Sequence, residues 1–90
     1  MLEVWKFPIP IQDEFELEMP RLAQILCVQV QRDQPCIWAL VDPQERPHQT
    51  FFRLAGTGQL IEGSEDDYIY VGTFQLQGGS LVFHLFEDMQ

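Results

Sequence analysis

Between Glu14 and Met19 the chain alternates without a break: Phe15, Leu17 and Met19 are apolar, Glu14, Glu16 and Glu18 acidic. Successive side chains of a strand point to opposite faces, so this period of two specifies a half-buried strand with an acidic outer face. A helix would scatter the same residues around its circumference. Alternation returns on both sides of Gly78-Gly79, a two-residue turn signal. The register it implies sets Phe74 opposite Phe83 and Leu76 opposite Leu81, with Leu85 on the same apolar face. Thr73, Gln75, Val82 and His84 then point the other way.

Two further apolar runs, Ile25 to Gln31 and Cys36 to Val41, flank Arg32-Asp33-Gln34-Pro35 and read as a hairpin with Asp33-Gln34 as its loop. In that register Val30 faces Ile37, Val28 faces Ala39 and Leu26 faces Val41 as one core face. Cys27, Gln29, Gln31, Cys36, Trp38 and Leu40 form the opposite, mixed surface, with Trp38 as its large aromatic. Pro8 and Pro10 place the segment from Met1 to Ile11 at a sheet edge, because proline cannot donate to a ladder. Pro20 opens a short helical turn through Arg21, Leu22 and Ala23. Pro43 to His48 reads as a polar loop, Thr50 to Ala55 as a strand ended by Gly56-Thr57-Gly58, and Glu62 to Asp67 as an acidic loop. No segment holds a helical period for more than two turns. The expected fold is all-β, a small antiparallel β-sandwich or barrel with at most one short helix, in a single domain over residues 1–90.

With 46% hydrophobic and 12% aromatic residues the chain is too apolar for a disordered acidic tail. A domain of this size buries only about 60–65% of its unfolded surface, so homodimerisation is one way it could gain stability. Five basic residues against fourteen acidic, a net charge of −9, leave little to neutralise phosphates. That balance disfavours direct contact with nucleic acid or an anionic membrane surface and favours neutral or basic partners. The uncharged run Leu22 to Gln31 is far short of the roughly 20 apolar residues of a membrane span, and no leader pattern precedes it, so a cytoplasmic protein is expected.

Residues able to carry chemistry are few. Cys27 and Cys36 lie about four residues apart along the expected hairpin, roughly 13 Å at 3.3 Å per residue, so two free thiols are expected rather than a disulfide. His48 and His84 lack the spacing of a zinc site with these cysteines, and neither a metal nor another cofactor is called for. No Gly-x-Ser-x-Gly elbow supports a triad built from Ser80 or Cys36 with His84, which reads as a cross-strand residue; the chain is not expected to be an enzyme. Gly56, Thr57 and Gly58 could offer a nest of N–H groups to a small ligand or nucleotide, but nothing after them resembles a phosphate loop. The acidic loop lacks calcium-binding spacing. Glu14, Glu16 and Glu18 stand about 6.6–6.8 Å apart, close to the spacing of successive phosphates on a nucleic-acid strand, so the stripe could occupy a basic groove of another protein; the same charges also protect an edge strand.

Through Trp38-Ala39-Leu40-Val41-Asp42-Pro43, Gly56-Thr57-Gly58, Tyr70-Val71-Gly72-Thr73 and Val82-Phe83-His84-Leu85-Phe86-Glu87, and at the opening Trp5-Lys6-Phe7, the chain resembles a family of small phage and prophage proteins of uncharacterised function. Where members of that family read Gly-Thr-Gly-His-Pro, this chain has Gly56-Thr57-Gly58-Gln59-Leu60. The resemblance implies a phage-encoded accessory protein acting in the bacterial cytoplasm and assigns no functional residues. By analogy of class, such a protein inhibits a bacterial host protein, including components of host defence. Glu14, Glu16, Glu18 and Trp38 are the residues expected to meet that partner. A ligand sponge using Gly56, Thr57 and Gly58, or a subunit that assembles through strand edges, are the other classes the sequence leaves open.

Overall fold

Alternation becomes strand along most of the chain. The computed structural model describes residues 1–90. It contains β1 (Glu3–Pro8), β2 (Glu14–Pro20), β3 (Gln24–Gln31), β4 (Gln34–Val41), β5 (Pro47–Gly56), β6 (Tyr68–Leu76) and β7 (Leu81–Asp88). The only helical pieces are single 3₁₀ turns at Glu65–Asp67 and Gln77–Gly79. None is long and apolar enough to cross a membrane. Two antiparallel sheets result, one ordered β1-β4-β3 and the other β2-β5-β7-β6, which makes the fold an all-β sandwich as the alternation requires.

Inward residues of both sheets form the core: Val28 and Ile37 from one, Met19, Phe52, Leu54, Phe74 and Leu85 from the other, with Ile9 arriving from the link between β1 and β2. Phe15 stacks on Phe52 with ring centroids 5.3 Å apart, an aromatic cross-strand pair. The sheets close on each other where β3 runs beside β6. There Gly72 lies so near β3 that a Cβ on it would stand 2.8 Å from Val28 Cγ1.

The β6-β7 hairpin has the expected register, Phe74 opposite Phe83 and Leu76 opposite Leu81. The β3-β4 hairpin turns one residue earlier than expected, at Arg32-Asp33, which hold φ of 52° and 66° while Gln31 pairs with Gln34. Positive φ at both central positions gives the mirror-image turn that matches strand twist, and Asp tolerates it better than Gln. Partners thereby shift by two, Val28 meeting Ile37 and Val30 meeting Pro35, and a shift of two leaves each side chain on its original face. Leu26 departs from expectation: a bulge between Ile25 and Cys27 turns it outward, 47% exposed, and Ile25 packs on the core in its place. Pro20 to Ala23 is a tight turn rather than a helix, closed by Ala23 N–H donating to the Pro20 carbonyl at 3.1 Å, with Leu22 at φ 66°. The supposed polar loop ends early, since β2 recruits Pro47 and His48 as partners of Pro20 and Met19. Cys27 and Cys36 are free thiols, two rungs apart across the ladder rather than four. A diagonal of that kind spans about 7–8 Å, still beyond the usual reach of a disulfide.

Candidate functional site

Edge strand β2 carries Glu14, Glu16 and Glu18 on the outer face of the four-stranded sheet, all exposed, while Phe15, Leu17 and Met19 turn to the core. Their partners on β5 are Arg53, Phe51 and Gln49. Beside the stripe a groove of about 520 Å³ is lined by Glu14, Glu16, Asp88 and the exposed ring of Phe51. Of the stripe, only Glu18 has a side-chain neighbour within hydrogen-bond reach, the Gln49 amide at 3.4 Å. Three carboxylates therefore surround an uncovered aromatic ring without a resident cation. Phe51 and Asp88 escaped the sequence reading; the alternation that exposes Glu16 also exposes its partner, once the β2-β5 register is known.

Arg53 would be the natural counter-ion, but it is directed elsewhere. It is only 8% exposed. Its guanidinium donates to the carbonyls of Asp13, Leu54 and Leu60 at 3.0, 2.6 and 3.1 Å, and its Nη1 lies 3.9 Å from the Asp13 carboxylate, the one ion pair of the chain. This side chain ties the β1-β2 link to the crossover from β5 to β6. The crossover must pass over β7, because β7 lies between the strands it joins. Replacing Arg53 by Leu is expected to cost about 2–3 kcal/mol, since one buried and two part-buried carbonyls lose charge-assisted donors. Urea denaturation should show a lower midpoint at unchanged slope, with faster amide exchange through residues 57–62. Lysine should not rescue it, as one ammonium cannot reproduce a planar fork.

Beyond the crossover the same face becomes aromatic. Tyr68 and Tyr70 on β6 pair with Asp88 and Phe86 on β7. The ring centroids of Tyr68 and Tyr70 lie 6.0 and 5.7 Å from that of Phe86, at interplanar angles of 65° and 61°. A bulge between Tyr70 and Gly72 decides this placement. Unbroken alternation from Phe74 would send both tyrosines inward, and the extra residue reverses them. Tyr68 donates its hydroxyl to the Glu62 carbonyl at 2.6 Å. The Tyr70 hydroxyl meets Thr73 Oγ1 at 2.6 Å; Thr73 Oγ1 meets His84 Nδ1 at 2.9 Å; His84 Nε2 meets Thr57 Oγ1 at 2.7 Å. His84 is thus the cross-strand residue expected, opposite Thr73. In neutral imidazole one ring nitrogen donates and the other accepts, and either threonine can complement it, so the chain of contacts fixes Tyr70 and the Thr57 turn to the sheet.

Gly56, Thr57 and Gly58 form the turn that delivers Thr57 to His84, with Gly58 at φ 89°. Their neighbourhood uses its donors internally: Gly56 N–H donates to Gln59 Oε1, Thr57 N–H to the Val82 carbonyl and Gln59 N–H to the Gly56 carbonyl. Trp38 lies on the central strand of the other sheet, paired with Lys6 and Cys27. It therefore belongs to a different sheet from the glutamate stripe, and the structure does not bring these nominated residues together. No group of three or more His, Cys, Asp or Glu side chains is arranged to hold a metal ion.

Glu87 pairs with Phe52 and Ile69 and is partly buried. Burial raises its carboxyl above the ordinary 4.5. The folded state then holds its proton more tightly than the unfolded one, so stability falls as pH rises from the unfolded value through the folded one. Glu87→Gln is expected to raise Tm modestly at pH 7, solvent limiting the gain, with the difference from wild type vanishing at pH values below the ordinary carboxyl range. Calorimetry across pH checks it.

The profile of the family described as Domain of unknown function (DUF7352) matches residues 1–90. No curated protein matches the chain. No solved structure matches it either. With the family match running from the first residue to the last, the chain belongs to the DUF7352 family.

Proposed function

We propose that this chain is a non-enzymatic phage or prophage accessory protein that acts in the bacterial cytoplasm by occupying a basic, nucleic-acid-binding surface of a host protein, as an inhibitor of host defence. The observation that carries this reading is the groove in which Glu14, Glu16 and Asp88 surround exposed Phe51, none of the three carboxylates being engaged in an ion pair within the chain. Carboxylates at alternate strand positions repeat at about 6.6–6.8 Å, a row of negative charge that a phosphate-binding surface can accept. Phe51 adds an apolar anchor at the centre of the acidic patch, of the kind that lowers dissociation rate, whereas the charges steer approach.

The test uses the full chain as bait in bacterial lysate and then the purified captured protein. Binding should weaken steeply with salt as the Debye length contracts from about 10 Å at 0.1 M to about 3 Å at 1 M. An oligonucleotide should compete for the same surface. Changing Glu14, Glu16 and Glu18 together to Gln should lower the association rate by about tenfold with little change in dissociation. Capture that ignores both the oligonucleotide and the Gln substitutions would remove the proposal.

A further inference from the structure

The aromatic cleft on β6 and β7 is separate from the acidic groove, lying across the crossover. It has a volume of about 370 Å³ and is lined by Tyr68, Tyr70 and Phe86 together with Ile61, Ser64 and Glu65 of the crossover. We propose that this cleft binds an organic cation, a guanidinium or alkylammonium group at the end of a flexible side chain or small molecule, held against the faces of Tyr68, Tyr70 and Phe86 with Glu65 at the rim.

Geometry supplies the first reason. All three rings line the cleft and both tyrosines stand steeply to Phe86, so the aromatic lining has no single plane, which suits a cation better than a flat neutral ring that needs a parallel stacking partner. The rings are also held in place before any ligand arrives. Tyr68 is tethered to the Glu62 carbonyl, and Tyr70 to Thr73, itself fixed by His84 and Thr57. Such tethering reduces the ordering cost of binding. Tyr70 nevertheless remains 58% exposed, so its ring is accessible.

Charge supplies the second reason. Glu65 is the only ionised group among the lining side chains, and no Lys or Arg lines the cleft. Burial first, and then the nearby carboxylates of Asp88 and Asp67, push the Tyr68 phenol above its ordinary 10.0 against the opposing charge of Arg53, so carboxylates stand near this ring as well as at the rim. Glu65 at the rim and these neighbouring carboxylates favour a cation over an anion. An anionic or neutral occupant gains nothing from them.

This inference goes beyond the acidic groove and does not depend on it. The full isotopically labelled chain is titrated with tetramethylammonium chloride and, separately, with N-acetylarginine amide, following the ring resonances of Tyr68, Tyr70 and Phe86. Neopentyl alcohol and N-acetylcitrulline amide serve as neutral counterparts. Saturable shifts at these rings are expected for at least one cation, with its neutral counterpart about tenfold weaker; the stronger of the two cations identifies the head group. Tyr70→Ala and Glu65→Lys should each weaken the cation about tenfold. Both positions are exposed, so a well-dispersed spectrum should confirm that each variant is folded. Equal response to a cation and its neutral counterpart, no response to either cation, or unchanged affinity in both folded variants would overturn the proposal.

Discussion

Reversing Glu14, Glu16 and Glu18 to Lys is expected to abolish partner binding while leaving the fold nearly unchanged. All three side chains are exposed on an edge strand, and their neighbours across the ladder are Arg53, Phe51 and Gln49. Outward positions of this kind contribute little to packing, so the urea midpoint should move by no more than about 0.5 kcal/mol of stability per site. Arg53 stands opposite position 14, but its guanidinium is buried against the Asp13, Leu54 and Leu60 carbonyls, which limits repulsion from a new lysine. Against a basic partner the change is severe, because each site exchanges an attraction for a like-charge contact. Titration calorimetry with the captured partner reads the loss. If the stripe serves only to protect the edge of β2, neutral Gln variants should instead self-associate while partner affinity holds. Unchanged partner binding in the lysine variant would return these glutamates to the role of a solvated sheet face.

Gly72→Val is expected to prevent stable folding. Even the first atom of a side chain there would approach Val28 Cγ1 to 2.8 Å, and the backbone N and O of Val28 are each 3.9 Å from the same point. Val28 is only 5% exposed and packed in the core, so it has little freedom to yield. Overpacking by one or two methyl groups costs about 1–3 kcal/mol in a well-packed core. Valine adds two more carbon atoms to an approach already too close, and a domain of this size has only about 5–13 kcal/mol in total. Gly72→Ala isolates the first contact: a loss of about 1–3 kcal/mol is expected, lowering Tm by roughly 4–8 °C per kcal/mol. Combining Gly72→Ala with Val28→Ala should recover at least about 1 kcal/mol relative to additivity, because the second substitution removes the atom that the first strikes. Strict additivity would show that the sheets do not meet at this pair.

The strands that alternate cleanly were legible because burial of one face leaves a period of two in the residues themselves. Phe15, Leu17 and Met19 against Glu14, Glu16 and Glu18 specify β2 without any knowledge of its partner. Gly78-Gly79 likewise fixes the β6-β7 register, and with it the His84 to Thr73 pairing on which the hydrogen-bonded chain rests. The β3-β4 turn was misplaced by one residue, yet Val28, Ile37, Ala39 and Val41 are buried as that reading requires, since the displacement preserved parity.

What sequence could not show is where the alternation is deliberately broken. A bulge carries no composition of its own: Leu26 and Val71 are as strand-like as their neighbours. Only the fit of β3 beside β6 decides that one extra residue in each strand turns Leu26 outward and brings Tyr68 and Tyr70 to the outer face. The same holds for Phe51 and Asp88, which meet the glutamate stripe because β5 happens to be the neighbour of β2, a long-range pairing that local pattern does not encode. Sequence by itself determined the strands, the acidic face and the final hairpin, because each follows from local alternation and turn chemistry. Tertiary structure alone decided the bulges, the burial of Arg53 and the assembly of both surface sites, because those depend on which strands lie side by side and on how closely two sheets can approach.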